Sequence, residues 1–253
     1  MFHIRTSVNK KMKGKKVFVI GAGMSSFGEH WDSSLRELIV DAAVKAIADS
    51  KIEGKDLQAV YGGCMASGLF AGQEHVGALI ADYLGINPLA STRLEAACAS
   101  GSVALRNGIM AIASGFYDVV AVGGVEKMTD VSTEMAATAL GAAGDEEWEL
   151  FNGATFPALY ALMARRHMLE YGTTEEQMGL VAVKNHANAA KNKYAQYQKE
   201  ITLEQVMSSQ YIASPLMLFD CSPISDGAAA VILASEAFTK KICEKPVEVI
   251  ASG

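Results

Sequence analysis

The chain has 253 residues, which is enough for one large domain or two small ones with a substantial buried core. Half of the residues are hydrophobic and a fifth are charged, a composition typical of a soluble α/β protein. The formal net charge of −6 leaves no basic face to neutralise phosphates, which argues against a nucleic-acid-binding protein.

The N-terminal segment 1–16 is basic and precedes the first apolar run, so we expect a solvated tail there. Its clustered lysines are Lys10, Lys11, Lys13, Lys15 and Lys16. No apolar run reaches the roughly 18 residues that a membrane span needs, and no signal-peptide core precedes the first predicted strand. These features predict a cytoplasmic protein.

Apolar runs alternate with helical segments up to residue 124, and the pattern returns near the end of the chain. Runs typical of strands are 17–21, 57–63, 88–97, 118–124, 228–235 and 247–253. Segments typical of helices are 33–50, 72–85, 99–115, 157–171, 174–197 and 202–209, with a brief helix after 235. Short connections between strands and helices predict parallel strands in a covered sheet. Residues 125–155 show no sustained period and are interpreted as an excursion over that sheet.

A glycine motif follows the first predicted strand, in the stretch "GAGMSSFG" that begins at Gly21. Gly21 and Gly23 fit the dinucleotide-binding pattern, but Ser26 stands where the third glycine belongs and no helix is predicted before about Ser33. We therefore interpret the motif as a plain strand-to-loop turn and predict no nucleotide cofactor.

Cys98 is the cysteine whose surroundings suggest chemistry. None of the four cysteines forms a C-x-x-C pair, so neither a zinc site nor a disulfide framework is predicted, and a reducing compartment fits best. Small residues flank Cys98 between a predicted strand and a predicted helix, as a strained turn that presents a nucleophile requires. The positive end of that helix would stabilise a thiolate, and the Cys98 N–H would serve as an oxyanion donor. A buried structural cysteine explains the spacing equally well.

Three motifs, "EAACASGSVAL", "DVVAVGGVEKMT" and "CSPISDGAAAVI", occur in this order along the chain. With them the sequence resembles the thiolase family from residue 17 to its end, and in particular its archaeal and sterol-carrier-protein-type branches. The resemblance implies an α/β, thiolase-like layered fold (αβαβα). It also implies an N-terminal core at 17–124 and 226–246, a helical loop domain at 125–225, and the first strand of a C-terminal half at 247–253.

The resemblance further implies an acetyl-CoA C-acetyltransferase. Cys98 would attack an acyl-CoA thioester and carry the acyl group, which an acetyl-CoA enolate then attacks; thiolysis is the reverse. Ser222 matches the position that contacts coenzyme A in the family, although a turn hydroxyl bonded to its own backbone explains it as well. The coenzyme A thioester is the substrate, and no separate cofactor or metal is expected.

Four further residues of the matched motifs are candidates for supporting roles. Glu126 and Met128 would support the site from behind, and a packed strand end accounts for them equally well. Asp226 and Gly227 are interpreted as residues that shape the turn before a strand.

The chain departs from the family because it contains neither a G-H-P-x-G nor a C-x-G-G-G loop, which supply the activating histidine and the second cysteine. None of its histidines stands in such a setting, and each is interpreted as an ordinary surface or packed residue: they are His3, His30, His75, His167 and His186. We therefore expect the general base to lie outside this chain, because the chain is a fragment or because a separate polypeptide completes it.

The expected partners are the acyl-CoA substrate and further protein chains. The family resemblance implies a homodimer or tetramer, and a separate C-terminal-half chain or a complex with a downstream synthase is also considered. Two alternatives to a thiolase stay open. One is another condensing enzyme of the superfamily, of the ketoacyl synthase or hydroxymethylglutaryl-CoA synthase type. The other is a non-catalytic acyl-CoA-binding subunit.

Overall fold

The computed structural model describes residues 14–252, so His3, Lys10, Lys11 and Lys13 of the predicted tail lie outside the described residues. The strands are β1 (Val17–Met24), β2 (Ala59–Gly63), β3 (Ala90–Leu94), β4 (Val119–Glu126), β5 (Tyr211–Ala213), β6 (Leu216–Met217), β7 (Gly227–Ser235) and β8 (Val247–Glu248). The helices are α1 (Leu35–Ser50), α2 (Ser67–Ala71), α3 (Val76–Tyr83), α4 (Ser100–Ala113), α5 (Thr133–Gly141), α6 (Phe156–Tyr171), α7 (Glu175–Ala189), α8 (Leu203–Met207) and α9 (Glu236–Ile242).

Six of the strands form one sheet in the order β3-β2-β4-β7-β1-β8, and β5 and β6 form a separate hairpin. The predicted parallel pairing is confirmed for β2 with β3 and β4. It is wrong for β1, whose neighbours β7 and β8 are both antiparallel to it. The reason is the path of β7, which returns from the excursion and pairs from Glu126 back to Val119 along β4.

Helices cover both faces of this sheet, which gives a layered α/β architecture. Val119, Ala121 and Val125 of β4 pack into a core with α1 and α3, whereas Val120 and Val122 pack into a second core with α4. This alternation follows from the two-residue period of a strand, and burial on both faces explains why the strand is an unbroken apolar run in the sequence. None of the helices between residues 14 and 252 is long and apolar enough to cross a membrane.

The glycines Gly21 and Gly23 of the motif near the start of the chain lie inside β1 and form no turn. A Cβ on Gly21 would lie 2.5 Å from the carbonyl oxygen of Ala46, and one on Gly23 would lie 2.3 Å from that of Ala42. Both glycines therefore let α1 approach the strand closely. The interpretation as a strand-to-loop turn is wrong, since the strand continues to Met24.

The excursion that follows β4 contains a helix, α5, that the sequence did not predict. Ser132 caps α5 by accepting a hydrogen bond from the Met135 N–H at 3.3 Å. Ala136 and Ala139 of α5 pack with Ala66 and Phe70 in a third core beside the sheet. Through this core the excursion packs beside the carboxyl ends of β2 and β4.

The predicted helix 174–197 begins with the expected capping box between Thr174 and Gln177 but ends at Ala189. The chain leaves the helix because the side chain of Asn192 accepts a hydrogen bond from the Tyr194 N–H at 3.0 Å, and the Tyr194 carbonyl accepts one from the Phe27 N–H at 2.9 Å. The loop is thus tied to the end of β1. The predicted strand at 247–253 is shorter, since only Val247–Glu248 pair with β1.

The contact between α4 and the sheet depends on Gly108. A Cβ at this position would lie 2.4 Å from Cγ2 of Val122 and 3.0 Å from Cδ1 of Leu233. We predict that Gly108→Ala lowers the free energy of unfolding by about 1–3 kcal/mol through overpacking, measured by urea denaturation. Gly101→Ala in the same helix is the matched control, because a Cβ there meets nothing within 4 Å. An equal or smaller loss for Gly108→Ala would show that α4 does not pack as described.

Candidate active site

Cys98 lies in a tight turn at the junction of β3 and α4, with its side chain exposed. The turn is a short 3₁₀ segment, Ala97–Ala99, and α4 starts at the next residue. Ala97 has a φ of 49°, a left-handed conformation that costs a residue with a Cβ about 1–2 kcal/mol. The structure therefore places Cys98 on a strained elbow at the N-terminus of a helix, as the sequence predicted for a nucleophile.

Two side chains brace this elbow. Ser100 is buried, and its Oγ accepts a hydrogen bond from the Ala96 N–H at 2.9 Å and donates one to the Ala97 carbonyl at 2.6 Å. The Glu95 carboxylate accepts a hydrogen bond from the Ala97 N–H. These bonds occupy the backbone groups on either side of the strained residue, which offsets the cost of its conformation.

Cys98 opens into a cleft of about 500 Å³ at the carboxyl ends of β2 and β4 and the start of β7. Its walls are mostly apolar side chains, and its floor is made of glycine and alanine. The walls include Phe27, Phe70, Leu105, Met128 and Leu140. Parallel strands leave such a crevice at their carboxyl ends, where α/β proteins commonly bind ligands.

Glu126 lies at this cleft and fixes the loop after β2. Its carboxylate accepts hydrogen bonds from the Met65 N–H at 2.8 Å and the Ala66 N–H at 3.3 Å, and from the thiol of Cys64 at 3.4 Å. Burial, followed by the negative charge of Glu126, raises the pKa of the Cys64 thiol to about 12. Cys64 therefore stays protonated near neutral pH although it also lines the cleft.

Arg93 braces the same loop from β3. Its guanidinium donates to the Cys64 carbonyl at 3.1 Å and to the Met65 carbonyl at 2.8 Å, and it forms an ion pair with Glu74. The loop that contains Cys64 is thus fixed by hydrogen bonds from its amides to the Glu126 carboxylate and from the Arg93 guanidinium to its carbonyls.

Asp226 does more than shape a turn. It is fully buried and forms an ion pair with Lys127, which is also buried, at 2.8 Å. Burial by itself raises the pKa of Asp226, but hydrogen bonds from Lys127, Thr129 and the His30 N–H outweigh that effect and leave the pKa lowered. The interpretation of Asp226 as a turn residue is therefore incomplete, because its carboxylate joins separate segments of the chain.

Gly227 is needed for close packing against Phe27. A Cβ at Gly227 would lie 2.6 Å from Cε1 of that ring, which forms part of the cleft wall. Met128 also faces the cleft, so three of the four predicted supporting residues, Glu126, Met128 and Gly227, border the space in front of Cys98.

Ser222 lies in an exposed loop before β7 and is not among the residues that line the cleft. Of the histidines in the described part of the chain, none lines the cleft either. His30 bonds the Ser26 carbonyl, His167 the Thr173 hydroxyl and His186 the Lys199 carbonyl. Between residues 14 and 252, no group of three or more His, Cys, Asp or Glu is arranged to hold a metal ion.

The sequence did not single out several residues that build this site. Lys127 stands within the quoted motif "GGVEKMT", and a lysine directly after an apolar strand was a signal for a buried ion pair. Ser100 and Glu95 flank the cysteine in "EAACAS", where a hydroxyl and a carboxylate in a tight turn indicate backbone bracing. Phe27 and Arg93 carried no local signal, because their roles depend on contacts across the fold.

Comparison with known proteins finds relatives along most of the chain. The family model described as "Thiolase, N-terminal domain" matches residues 17–237. An "Acetyl-CoA acetyltransferase" of Methanothermobacter thermautotrophicus is 55% identical over 238 residues, which are 94% of this chain and 62% of that protein. A "Sterol carrier protein 2" of Gallus gallus is 31% identical and covers 94% of this chain and 45% of its own. The chain thus spans less than two thirds of the length of either relative.

A solved structure described as "Ltp2-ChsH2(DUF35) aldolase" superposes with a TM-score of 0.76 at 27% identity. The superposition covers 95% of this chain and 61% of that one. It supports the layered α/β fold over nearly the whole chain described here.

The two cysteines of the cleft are expected to differ strongly in reactivity. With a pKa of about 12, only roughly one ten-thousandth of Cys64 is thiolate at pH 8. We predict that iodoacetamide alkylates the exposed Cys98 at least about 100-fold faster than Cys64 in the folded chain, measured by peptide mass spectrometry. In urea the two rates should converge. Comparable labelling of both cysteines in the folded chain would contradict the burial of Cys64.

Proposed function

The chain belongs to the thiolase family, and from this premise we propose that it carries the nucleophile of a thiolase-type acyltransferase. Cys98 attacks the carbonyl carbon of an acyl-CoA thioester, the carbon–sulfur bond to coenzyme A breaks, and the acyl group remains on the cysteine. The observation that carries this proposal is the exposed Cys98 on a strained, doubly braced elbow at the N-terminus of α4. The cleft in front of it has room for an acyl group.

We propose acetyl-CoA as the acyl donor and acetoacetyl-CoA as the condensation product, with thiolysis as the reverse reaction. The archaeal relative that is 55% identical and named "Acetyl-CoA acetyltransferase" supports this choice. An acyl group on a cysteine is a thioester like the one in acyl-CoA, so the transfer runs readily in both directions.

Condensation also needs a base that removes a proton from the second acetyl-CoA. Glu126 is the one carboxylate that lines the cleft among the described residues, and its oxygens are occupied by two backbone amides and a thiol. Three of the described histidines, His30, His167 and His186, bond other partners, and none of the described histidines lines the cleft. We therefore propose that the base comes from outside residues 14–252.

Self-association is part of the same proposal. β3 lies at one end of the sheet and pairs with β2 on one side, and its other edge pairs with no strand among residues 14–252. An unpaired edge is a template for a strand of another chain, so we propose a homodimer that extends the sheet through β3. Assembly with a second kind of polypeptide is the alternative. The structural relative described as "Ltp2-ChsH2(DUF35) aldolase" supports it, because that description names two components.

We predict that incubation with acetyl-CoA adds one acetyl group to Cys98, located by peptide mass spectrometry. Cys98→Ser should lose the adduct, because a hydroxyl at this position lacks the thiolate that attacks the thioester. Cys243→Ser is the matched control, since Cys243 packs against the core between the sheet and α1 and α3 and does not line the cleft. Unmodified protein that still binds coenzyme A would support a non-catalytic acyl-CoA-binding subunit instead.

We also predict that the 253-residue chain alone shows no measurable cleavage of acetoacetyl-CoA by coenzyme A. The reason is the absence of a free base at the cleft among the described residues. The measurement follows the absorbance of the acetoacetyl-CoA enolate in the presence of magnesium. Steady turnover without any added protein would show that this chain itself supplies the base.

A further inference from the structure

The ion pair between Lys127 and Asp226 lies one step beyond the ends of two paired strands. Glu126 and Gly227 are the last partners in the ladder between β4 and β7, and the side chains of the next residues continue the connection. Only 1% of the Lys127 side chain and none of the Asp226 side chain is exposed. A buried ion pair adds little net stability compared with apolar residues of similar size, so its presence calls for another explanation.

The Asp226 carboxylate collects five hydrogen bonds. Oδ2 accepts from Lys127 Nζ at 2.8 Å, Thr129 Oγ1 at 2.6 Å and the His30 N–H at 3.0 Å. Oδ1 accepts from the Met128 N–H at 2.7 Å and the Thr129 N–H at 3.0 Å. One buried group thus connects β7, the turn 127–129 and the segment 28–30. We call these contacts the Asp226 network.

Each segment of the Asp226 network adjoins a residue that borders the cleft. Phe27 precedes the segment 28–30, Met128 belongs to the turn, and Gly227 begins β7. The Phe27 ring packs where a Cβ of Gly227 would stand. The Asp226 carboxylate therefore helps to hold these parts of the cleft wall together, beside two backbone hydrogen bonds between Gly28 and Asp226.

The ammonium group of Lys127 has polar and aromatic partners besides Asp226. Its Nζ also contacts Asp130 Oδ1 at 2.6 Å and Thr129 Oγ1 at 3.1 Å, and it lies 5.9 Å from the centroid of the Trp31 ring. These partners keep the ammonium group in place, so that Asp226 accepts a hydrogen bond from a fixed donor rather than a mobile one.

We propose that Asp226 is a positioning residue that sets the width of the cleft at Phe27 and Met128, and thereby limits the size of the acyl group that reaches Cys98. The part of this proposal that concerns acyl groups rests on the proposed acyltransferase function. The part that concerns access to Cys98 does not, because any thiol reagent must pass the same wall.

The opposite end of the same two strands supplies a matched control. There Ser235 at the end of β7 donates a hydrogen bond from its Oγ to Asp118 Oδ1 at 2.7 Å, and Ser235 is also buried. Ser235→Ala removes a buried polar contact between β7 and the start of β4 without touching the cleft. It should lower stability and leave access to Cys98 unchanged.

The test compares alkylation of Cys98 by iodoacetamide and by N-benzyl iodoacetamide, which carry the same reacting group on different volumes. We predict that Asp226→Asn raises the rate of alkylation by the bulky reagent, relative to the rate with the small one, about tenfold. The reason is that an amide nitrogen donates where a carboxylate oxygen accepted, which loosens the side-chain contacts to His30 and the turn 127–129 while the backbone bridge to Gly28 remains. Acylation rates with acetyl-CoA and hexanoyl-CoA should shift in the same sense. The double variant Asp226→Asn/Lys127→Met restores the charge balance, and should recover stability but keep the raised ratio.

Each outcome decides the proposal. A folded Asp226→Asn or double variant with the wild-type ratio would overturn it, as would an equal shift in Ser235→Ala. If neither Asp226 variant folds, Thr129→Val removes a single donor and is judged by the same ratio. The two proposals can also separate. If the alkylation rates follow the prediction but no acyl-CoA modifies the chain, the acyltransferase function is rejected and the positioning role of Asp226 stands.

Discussion

Ala97 has a left-handed backbone, and the site exists only while that conformation is held. A residue with a Cβ adopts it at a cost of about 1–2 kcal/mol, and a relaxed turn would carry Cys98 away from the cleft. The hydroxyl of Ser100 and the carboxylate of Glu95 hold the turn from both sides. Hydrogen bonds within residues 95–100 thus stabilise the strained turn, and α4 begins at Ser100.

The sheet places this elbow opposite the other walls of the cleft. A Cβ on Gly63 at the end of β2 would lie 2.6 Å from the carbonyl carbon of Ser100, so the strand and the helix start are in direct backbone contact. Glu126 at the end of β4 and Asp226 before β7 then connect the neighbouring loops. Removing one partner of a buried ion pair such as Lys127 with Asp226 costs about 3–5 kcal/mol in other proteins. The cleft is therefore built from the ends of β2 and β4 and the start of β7, which are connected by the half-buried carboxylate of Glu126 and the buried carboxylate of Asp226.

Most strands and helices could be predicted from the sequence because apolar period and capping residues are local signals. The position of Cys98 on an elbow was likewise local, since the flanking small residues and the strand-to-helix change are both visible in the chain. The antiparallel pairing of β7 could not be predicted, because it depends on where the chain returns to the sheet some 100 residues after β4. The roles of Phe27 and Arg93 also escaped prediction, because each depends on a partner far away in sequence, and the sequence around Lys127 does not show that its partner is Asp226.

Release of coenzyme A after rapid mixing with acetyl-CoA, quantified by chromatography, tests the account most directly. This measurement tests both that Cys98 is a competent nucleophile and that the base lies outside residues 14–252. The account predicts a burst of about one equivalent of coenzyme A per chain, followed by a plateau as the acyl-enzyme accumulates. No burst from folded protein would contradict the assignment of the nucleophile, and continued linear release would contradict the absence of the base.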